Sequence, residues 1–153
     1  MMMAILMFTN TDTIIKMRSA SLSRLLQLAS PMLPVGAYSY SQGLEWAIES
    51  GDVNDIDSSR QWIGDVLAIY YAQFELPVLR RLYAAWQKLD ASRLHYWDAY
   101  YQASRDSSEA LAETRQMAYS LLRLQRDLNS WPASILQLSD SLQPPAFPTI
   151  YAV

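Results

Sequence analysis

Few side chains in this sequence belong to the types that enzymes use for catalysis. The sequence has one histidine, His95, and no cysteine, so a serine or threonine nucleophile would have only His95 as its general base. His95 lies in a helical pattern beside Tyr96 and Trp97, which is typical of a half-buried histidine among aromatic residues. A cofactor-free hydrolase that uses His95 is one hypothesis, and unchanged function after His95→Ala would remove it.

Carboxylates are the next candidates for chemistry. Glu45 and Glu49 share one face of a predicted helix, where a pair of carboxylates can act as general acid and base. The same pattern is more typical of a solvated helix face. Oxygen ligands for a cation are offered by Asp12, Asp52, Asp55 and Asp57. Their spacing is not that of a calcium-binding loop, so we expect no metal site within this chain.

The composition is that of one globular domain. The chain has 153 residues, of which 51% are hydrophobic and 18% charged, and this length is enough for one core. The net charge of -3 argues against nucleic acid as the main partner, and no apolar run reaches the length of a membrane span. The absence of cysteine is compatible with the cytosol. We therefore expect a cytoplasmic protein that binds neither nucleic acid nor a membrane.

The elements that position these side chains are predicted to be helices. Apolar residues recur at intervals of three and four, and no sustained alternating run of β-branched residues is present. The fold class is therefore all-α, a compact helical domain of about seven helices. The clearest amphipathic helix carries Trp62, Ile63, Val66, Leu67, Tyr70 and Phe74. Asp57 or Ser58 can cap this helix, and Pro77 suits the first turn of the next. Asp90 and Asp106 can cap the two helices that follow.

The two ends of the chain differ from its middle. Residues 1–17 are predicted to be a disordered N-terminal extension, because Met17 stands directly before the first patterned segment, and residues 18–153 form the helical domain. Pro148 is placed to open a helix, and the chain ends one turn later on apolar residues without a polar cap. We therefore expect the domain to be incomplete at its C-terminus.

One segment departs from ordinary helix sequence, and it reads LQLASPMLPVGAYSYSQGLE from Leu26 to Glu45. Pro34 restricts the backbone of this segment, and Gly36 allows it conformations that other residues disfavour. The side chains that offer hydroxyl and amide groups are Tyr38, Ser39, Tyr40, Ser41 and Gln42. Functional loops often have this composition. The alternative is a connection between helices whose polar side chains only satisfy local hydrogen bonds.

This segment resembles the N-terminal signature of the UreF family, L-x-Q-L-x-S-P-x-L-P-V-G-x-[FY]-S-[YW]-S-x-G-L-E. Sixteen of the positions from Leu26 to Glu45 fit it. A match of this length is specific. The resemblance as a whole covers approximately Leu22 to Val153.

Shorter motifs later in the chain extend the resemblance. The family's helix start R-E-T-x-E is matched, with Asp for Glu and Ser for Thr, by Arg105, Asp106, Ser107 and Glu109. Gln116 and Met117 match the Q-M-G that follows it, although Ala118 replaces the glycine. The entry to the family's next helix resembles Phe147, Pro148 and Tyr151.

The resemblance implies an all-α protein without enzymatic activity. UreF proteins join UreD, also called UreH, and the GTPase UreG in a complex that delivers nickel to apo-urease. The expected partners are therefore UreD, UreG and the urease apoprotein, with a homodimer in the full-length complex. No cofactor is expected to bind directly, since nickel is delivered to the client. UreF proteins are also longer, so the missing late helices predict poor solubility or an inactive product.

The resemblance implies a set of candidate site residues, which would dock partner proteins and fix the geometry of the loop. They are Pro34, Gly36, Tyr38, Ser39, Tyr40, Gln42 and Glu45. Second-tier candidates are Arg105, Glu109 and Gln116. Arg105 is open to two interpretations, an arginine finger toward a GTPase or a structural ion pair or helix cap. The alternative for the whole chain is a generic helical interaction module unrelated to urease.

Overall fold

The structure is a computed structural model that describes residues 19–37, 40–41, 43–129 and 131–153. Its helices are α1 (Ser19–Leu28), α2 (Leu44–Glu49), α3 (Ile56–Asp65), a π-helical segment (Val66–Glu75), α4 (Leu76–Trp86), α5 (Ala91–Ala103), α6 (Ser108–Asp127), α7 (Ala133–Ser141) and α8 (Phe147–Tyr151). Because α3, the π segment and α4 follow one another without a break, the described residues form seven continuous helices and no strand. The predicted all-α fold is confirmed. None of these helices is long and apolar enough to cross a membrane.

The chain divides into two units, and the boundary in the sequence falls between Leu33 and Pro34. The described part of the first unit is α1 and the turn after it. The backbone N–H of Ala29 still donates to the carbonyl of Leu25 at 2.9 Å, and the helix ends before Pro31, as the sequence predicts. The predicted N-terminal extension, residues 1–17, lies outside the described residues.

The core of the second unit lies between α4, α5 and the last residues of the chain. Its buried side chains are Val78, Leu82, Ala85, Trp86, Leu94, Tyr101, Leu142, Ala146 and Ala152. Leu82 and Leu94 are fully buried, and they lie on the faces that the helical spacing predicts. Helix α6 packs against α8. The buried face of α6 consists of Thr114, Met117, Ala118, Leu121 and Leu122. The core therefore holds α5 and α6 in place, together with the short connection between them.

A buried carboxylate ties α5 to α8. Asp98 is 6% exposed, and its Oδ1 accepts hydrogen bonds from the Ala146 N–H at 2.8 Å and the Thr149 hydroxyl at 2.5 Å. Its Oδ2 accepts from Gln102 Nε2 at 2.5 Å. Trp86 Nε1 donates to the carbonyl of Thr149 at 2.7 Å. These bonds orient α8 on the core, because buried polar groups need their partners.

Side-chain caps mark the starts of α3, α5 and α6. Each capping residue has extended backbone, and its side chain accepts the N–H three residues further on. Asp90 caps α5 as predicted. The cap of α3 is Asp55 instead of Asp57 or Ser58, and that of α6 is Ser107 instead of Asp106, so the predicted caps were off by one to three residues. The residue that caps is the one with extended backbone, which spacing alone does not show.

The longest helix carries the predicted apolar stripe, but the described residues cover it only in part. Ile63 is 51% and Leu67 56% exposed, whereas Phe74 packs against the core. Pro77 lies in the first turn of α4, as predicted, and α4 follows directly on the π segment. In an α-helix the proline ring clashes with the carbonyl four residues earlier. Here the π segment, with its wider turn, ends directly before Leu76 and Pro77.

Candidate functional site

The loop that precedes α2 carries most of the predicted docking residues. Val35 is buried, whereas its neighbours Pro34 and Gly36 are exposed. Gly36 has a φ of 81°, a left-handed conformation that glycine adopts without steric cost. Tyr40 is half-buried, and its N–H donates to the carbonyl of Ala37 at 3.2 Å. Val35 therefore anchors the loop, and the residues on either side of it face solvent.

The remaining loop candidates divide into two groups. Tyr38, Ser39 and Gln42 lie outside the described residues. Glu45 is exposed in the first turn of α2, and it makes no hydrogen bond or ion pair with another described residue. Glu49, which shares its helix face, is exposed as well. The two carboxylates form the solvated face that was the simpler sequence interpretation.

Arg105 lies in the connection between α5 and α6, and its side chain is only 11% exposed. Its Nη1 donates to the Tyr70 hydroxyl at 2.5 Å and lies 3.7 Å from Glu75 Oε1. Its guanidinium lies 4.2 Å from the centre of the Tyr101 ring, within the range of a cation–π contact. This geometry favours the ion-pair interpretation of Arg105 over a finger that extends to a partner.

Glu75 is the anion at the centre of this group. Its Oε1 accepts hydrogen bonds from the Tyr101 hydroxyl at 2.8 Å and from the Tyr70 hydroxyl. The Tyr70 hydroxyl accepts from Arg105 and donates to Glu75, so it bridges the two charges. We call Tyr70, Glu75, Tyr101 and Arg105 the arginine cluster. It joins the π segment, α5 and the α5–α6 connection.

The arginine cluster predicts unusual titration of two tyrosines. Burial, reinforced by the hydrogen bond to Glu75, raises the pKa of Tyr70 to about 12, and burial also raises the pKa of Tyr101. Tyrosines of an unfolded chain have a pKa of about 10. The folded state therefore holds both protons more tightly. The contribution of Tyr70 to stability is complete below about pH 10 and is lost as the pH rises through about 12.

Tyrosinate absorbance measured against pH checks this prediction. We expect a late-ionising fraction that appears together with loss of helical circular dichroism, and Tyr70→Phe should reduce that fraction. The control is Tyr119→Phe on α6, where the tyrosine is 59% exposed, and it should remove signal only from the early fraction. Ionisation of all tyrosines in one step near pH ~10 with the helices intact would contradict the cluster.

The single histidine lines an open cleft of about 340 Å³ between α5 and the turn after α7. Asp98 and Ser141 line the same cleft. The Ser141 hydroxyl donates to the carbonyl of Leu138 at 2.7 Å, and both oxygens of Asp98 are occupied. No hydrogen bond joins His95 to either residue. The cleft thus lacks the nucleophile and base pair that the hydrolase hypothesis requires.

The other second-tier residues lie on the surface of α6. Glu109 is exposed in the first turn, where hydrogen bonds from its own backbone N–H and from Ser108 hold its pKa below the usual range. Gln116 is exposed two turns later. No hydrogen bond, ion pair or ring contact joins either residue to Arg105, or Arg105 to the described part of the loop. Among the described candidates, Arg105, Glu109 and Gln116 are therefore not joined to one another by direct contacts.

In the described part of the chain, no group of three or more histidine, aspartate or glutamate side chains is arranged to hold an ion.

The partners of Arg105 in the π segment, Tyr70 and Glu75, were missed because they are far from it in sequence. A signal for one of them was present, since Glu75 is the only charge in the apolar stretch Val66–Glu75 and a lone carboxylate among apolar residues needs a cation or donors. Asp98 carried a similar signal, because it lies on the same helix face as Leu94 and Tyr101, both buried.

Comparison with known proteins identifies the family. The sequence model of the UreF family matches residues 53–153. The chain belongs to the UreF family. This matched region contains the arginine cluster and Asp98, and the loop before α2 precedes it.

Individual relatives agree with the family match. This UreF-family chain is 57% identical to the urease accessory protein UreF of Methylobacillus flagellatus over 135 residues, which cover 88% of the chain and 60% of the relative. It is 49% identical to that of Azoarcus sp. over 136 residues, 85% of the chain and 56% of the relative. For Nitrosococcus oceani the identity is 46% over 134 residues, 87% of the chain and 59% of the relative. The chain thus spans 56 to 60% of the length of these relatives.

Proposed function

We propose that this chain acts in urease activation as a non-catalytic docking subunit. In this proposal it joins UreD and the GTPase UreG in a cytoplasmic complex, as part of a homodimer, and helps to deliver nickel to apo-urease. Nickel is the cargo of the complex and not a resident ion of this subunit. The single observation that carries the proposal is membership of the UreF family, whose relatives bear the name urease accessory protein.

The described surface supports a docking role. The loop before α2 presents Pro34 and Gly36 to solvent on either side of the buried Val35, so both positions are accessible to a partner. Glu45 adds an exposed carboxylate next to it, which suits a partner with a basic side chain.

The arrangement of potential catalytic groups also supports a docking role. His95, Asp98 and Ser141 lie around one cleft without being joined to one another. Arg105 is held by Tyr70 and Glu75. Regulation of a GTPase by this subunit would therefore proceed through the shape of the docked surface.

Co-purification tests this proposal. Against the expectation of an inactive product, this proposal predicts that the tagged, monodisperse chain, expressed together with UreD and UreG, retains one or both of them on an affinity column. Tyr40→Ala should lower that binding by about tenfold or more, because tyrosines that become buried in an interface are frequent binding hot spots. The measurement is the dissociation constant of the purified pair.

Tyr119→Ala is the matched control, since Tyr119 is an exposed tyrosine on α6 and lies outside the loop. It should leave the dissociation constant unchanged. Equal binding by the parent chain and Tyr40→Ala would instead favour the generic helical module, and so would failure of a monodisperse chain to bind either partner.

A further inference from the structure

The π segment differs from the other described helices in the spacing of its backbone hydrogen bonds. Its backbone hydrogen bonds close on the fifth residue, as the Leu76 N–H does with the carbonyl of Tyr71. Gln73 Nε2 also reaches back five residues, to the carbonyl of Ala68 at 3.3 Å. Such helices are rare and usually last a single turn. A π segment of ten residues therefore requires stabilisation from side chains.

The pair Tyr70 and Glu75 can meet only in π geometry. The two residues are five positions apart and are joined by a hydrogen bond. In an α-helix each residue advances about 100°, so residues five apart point about 140° away from each other. In the π segment they share one face. The geometry of the backbone and the pairing of the side chains therefore depend on each other.

Two groups from outside the segment hold this pair. Arg105 contacts both members, through Nη1 to the Tyr70 hydroxyl and through its charge to Glu75. Tyr101 donates its hydroxyl to Glu75 and stacks on Phe74 with 6.0 Å between ring centres. Both contacts would be lost if Tyr70 and Glu75 moved to different faces.

We propose that Arg105 and Tyr101 form a latch that holds Val66–Glu75 in π geometry and thereby sets the direction in which α3 presents its exposed apolar side chains. Ile56 and Ile63 are the large apolar residues exposed on α3. Each π turn contains close to one residue more than an α turn, so relaxation of the segment to an α-helix rotates α3 relative to α4 by about half a turn. This inference goes beyond the proposed function and does not depend on it.

Distances between paired spin labels test the latch. The chain has no cysteine, so labels attach only at two introduced sites, Arg60→Cys on α3 and Arg123→Cys on α6. Tyr70→Phe removes the bridging hydroxyl, and Glu75→Gln removes the charge. A helix with its side chains is about 10 Å across. We therefore expect either substitution to change the inter-label distance by several ångströms, up to about 10 Å, in all molecules or in a second population.

Helical circular dichroism must stay unchanged in the same samples, since an α-helix replaces a π-helix. The control is Arg126→Gln, which breaks the exposed pair with Asp140 and should leave the distance as in the parent. An unchanged distance in both Tyr70→Phe and Glu75→Gln overturns the proposal. A broadened distance accompanied by loss of helical signal also overturns it, because the segment would then have unfolded instead of changing register.

Discussion

Replacement of Arg105 by methionine is expected to lower the free energy of unfolding by about 3 kcal/mol. The substitution leaves Glu75, which is 15% exposed, without its cation and removes the donor to the Tyr70 hydroxyl. Breaking a buried ion pair by removing one partner costs about 3–5 kcal/mol, and the lower end applies because this cluster is not completely dry. Urea denaturation at neutral pH measures the change.

The matched control for this prediction is Arg126→Met. Arg126 forms an ion pair with Asp140 in which the two side chains are 44% and 52% exposed, and such surface pairs contribute about 1 kcal/mol or less. The two methionine variants remove the same charge, so the difference between them isolates burial and the tyrosine contacts. Equal losses in both variants would show that the arginine cluster contributes no more than a surface pair.

Asp98→Ala should destabilise the chain by a similar amount, about 3 kcal/mol. Three donors lose their acceptor, and two of them, the Ala146 N–H and the Thr149 hydroxyl, are buried. Each buried donor that is left unsatisfied costs about 1–3 kcal/mol. The expected fall in melting temperature is about 6–12 °C for a domain of this size, and calorimetry or thermal circular dichroism measures it.

Hydrogen exchange shows whether the loss of stability in Asp98→Ala arises at α8, which Asp98 holds on the core. In Asp98→Ala the amide of Ala146 and those of α8 should lose protection, while the amides of Leu82 and its neighbours in α4 lose less. Asp57→Ala is the control, because its side chain is 83% exposed and its removal should change little. Uniform loss of protection across α4 and α8 would contradict a local role for Asp98.

Much of the helical layout was predictable from local sequence. Proline and the spacing of apolar residues placed the end of α1 before Pro31 and Pro148 in the first turn of α8. Leu82 and Leu94 were on predicted stripes and are fully buried. These features depend on residues within one turn of each other, which is the range over which periodicity and capping act.

The π segment and its contacts were not predictable in the same way. Helical periodicity assumes that every turn has the same size, so it paired Tyr70 with Phe74 and gave no reason to pair it with Glu75. The connection to Arg105 spans 35 residues from Tyr70 and arises only from tertiary packing. Arg105 itself was identified through a motif, but the motif did not show that its side chain is buried.

For the candidate docking loop, the sequence indicated the residues and the structure added few contacts. Its residues were identified from the segment Leu26 to Glu45, and the structure adds that Val35 is buried and that Gly36 adopts a left-handed backbone. Which partner touches Tyr40 or Glu45 depends on surfaces of other chains, which neither the sequence nor the fold of this chain contains.

Urease activity in a strain without its own UreF gene tests the central claim most directly. The strain receives the Methylobacillus flagellatus relative in which the matching region, 57% identical over 135 residues, is replaced by that of this chain. We predict nickel-dependent urease activity close to that of the intact relative, and its loss when the replaced region carries Tyr40→Ala. A chimera that is expressed and folded but gives no more urease activity than the deletion strain would contradict the proposed function.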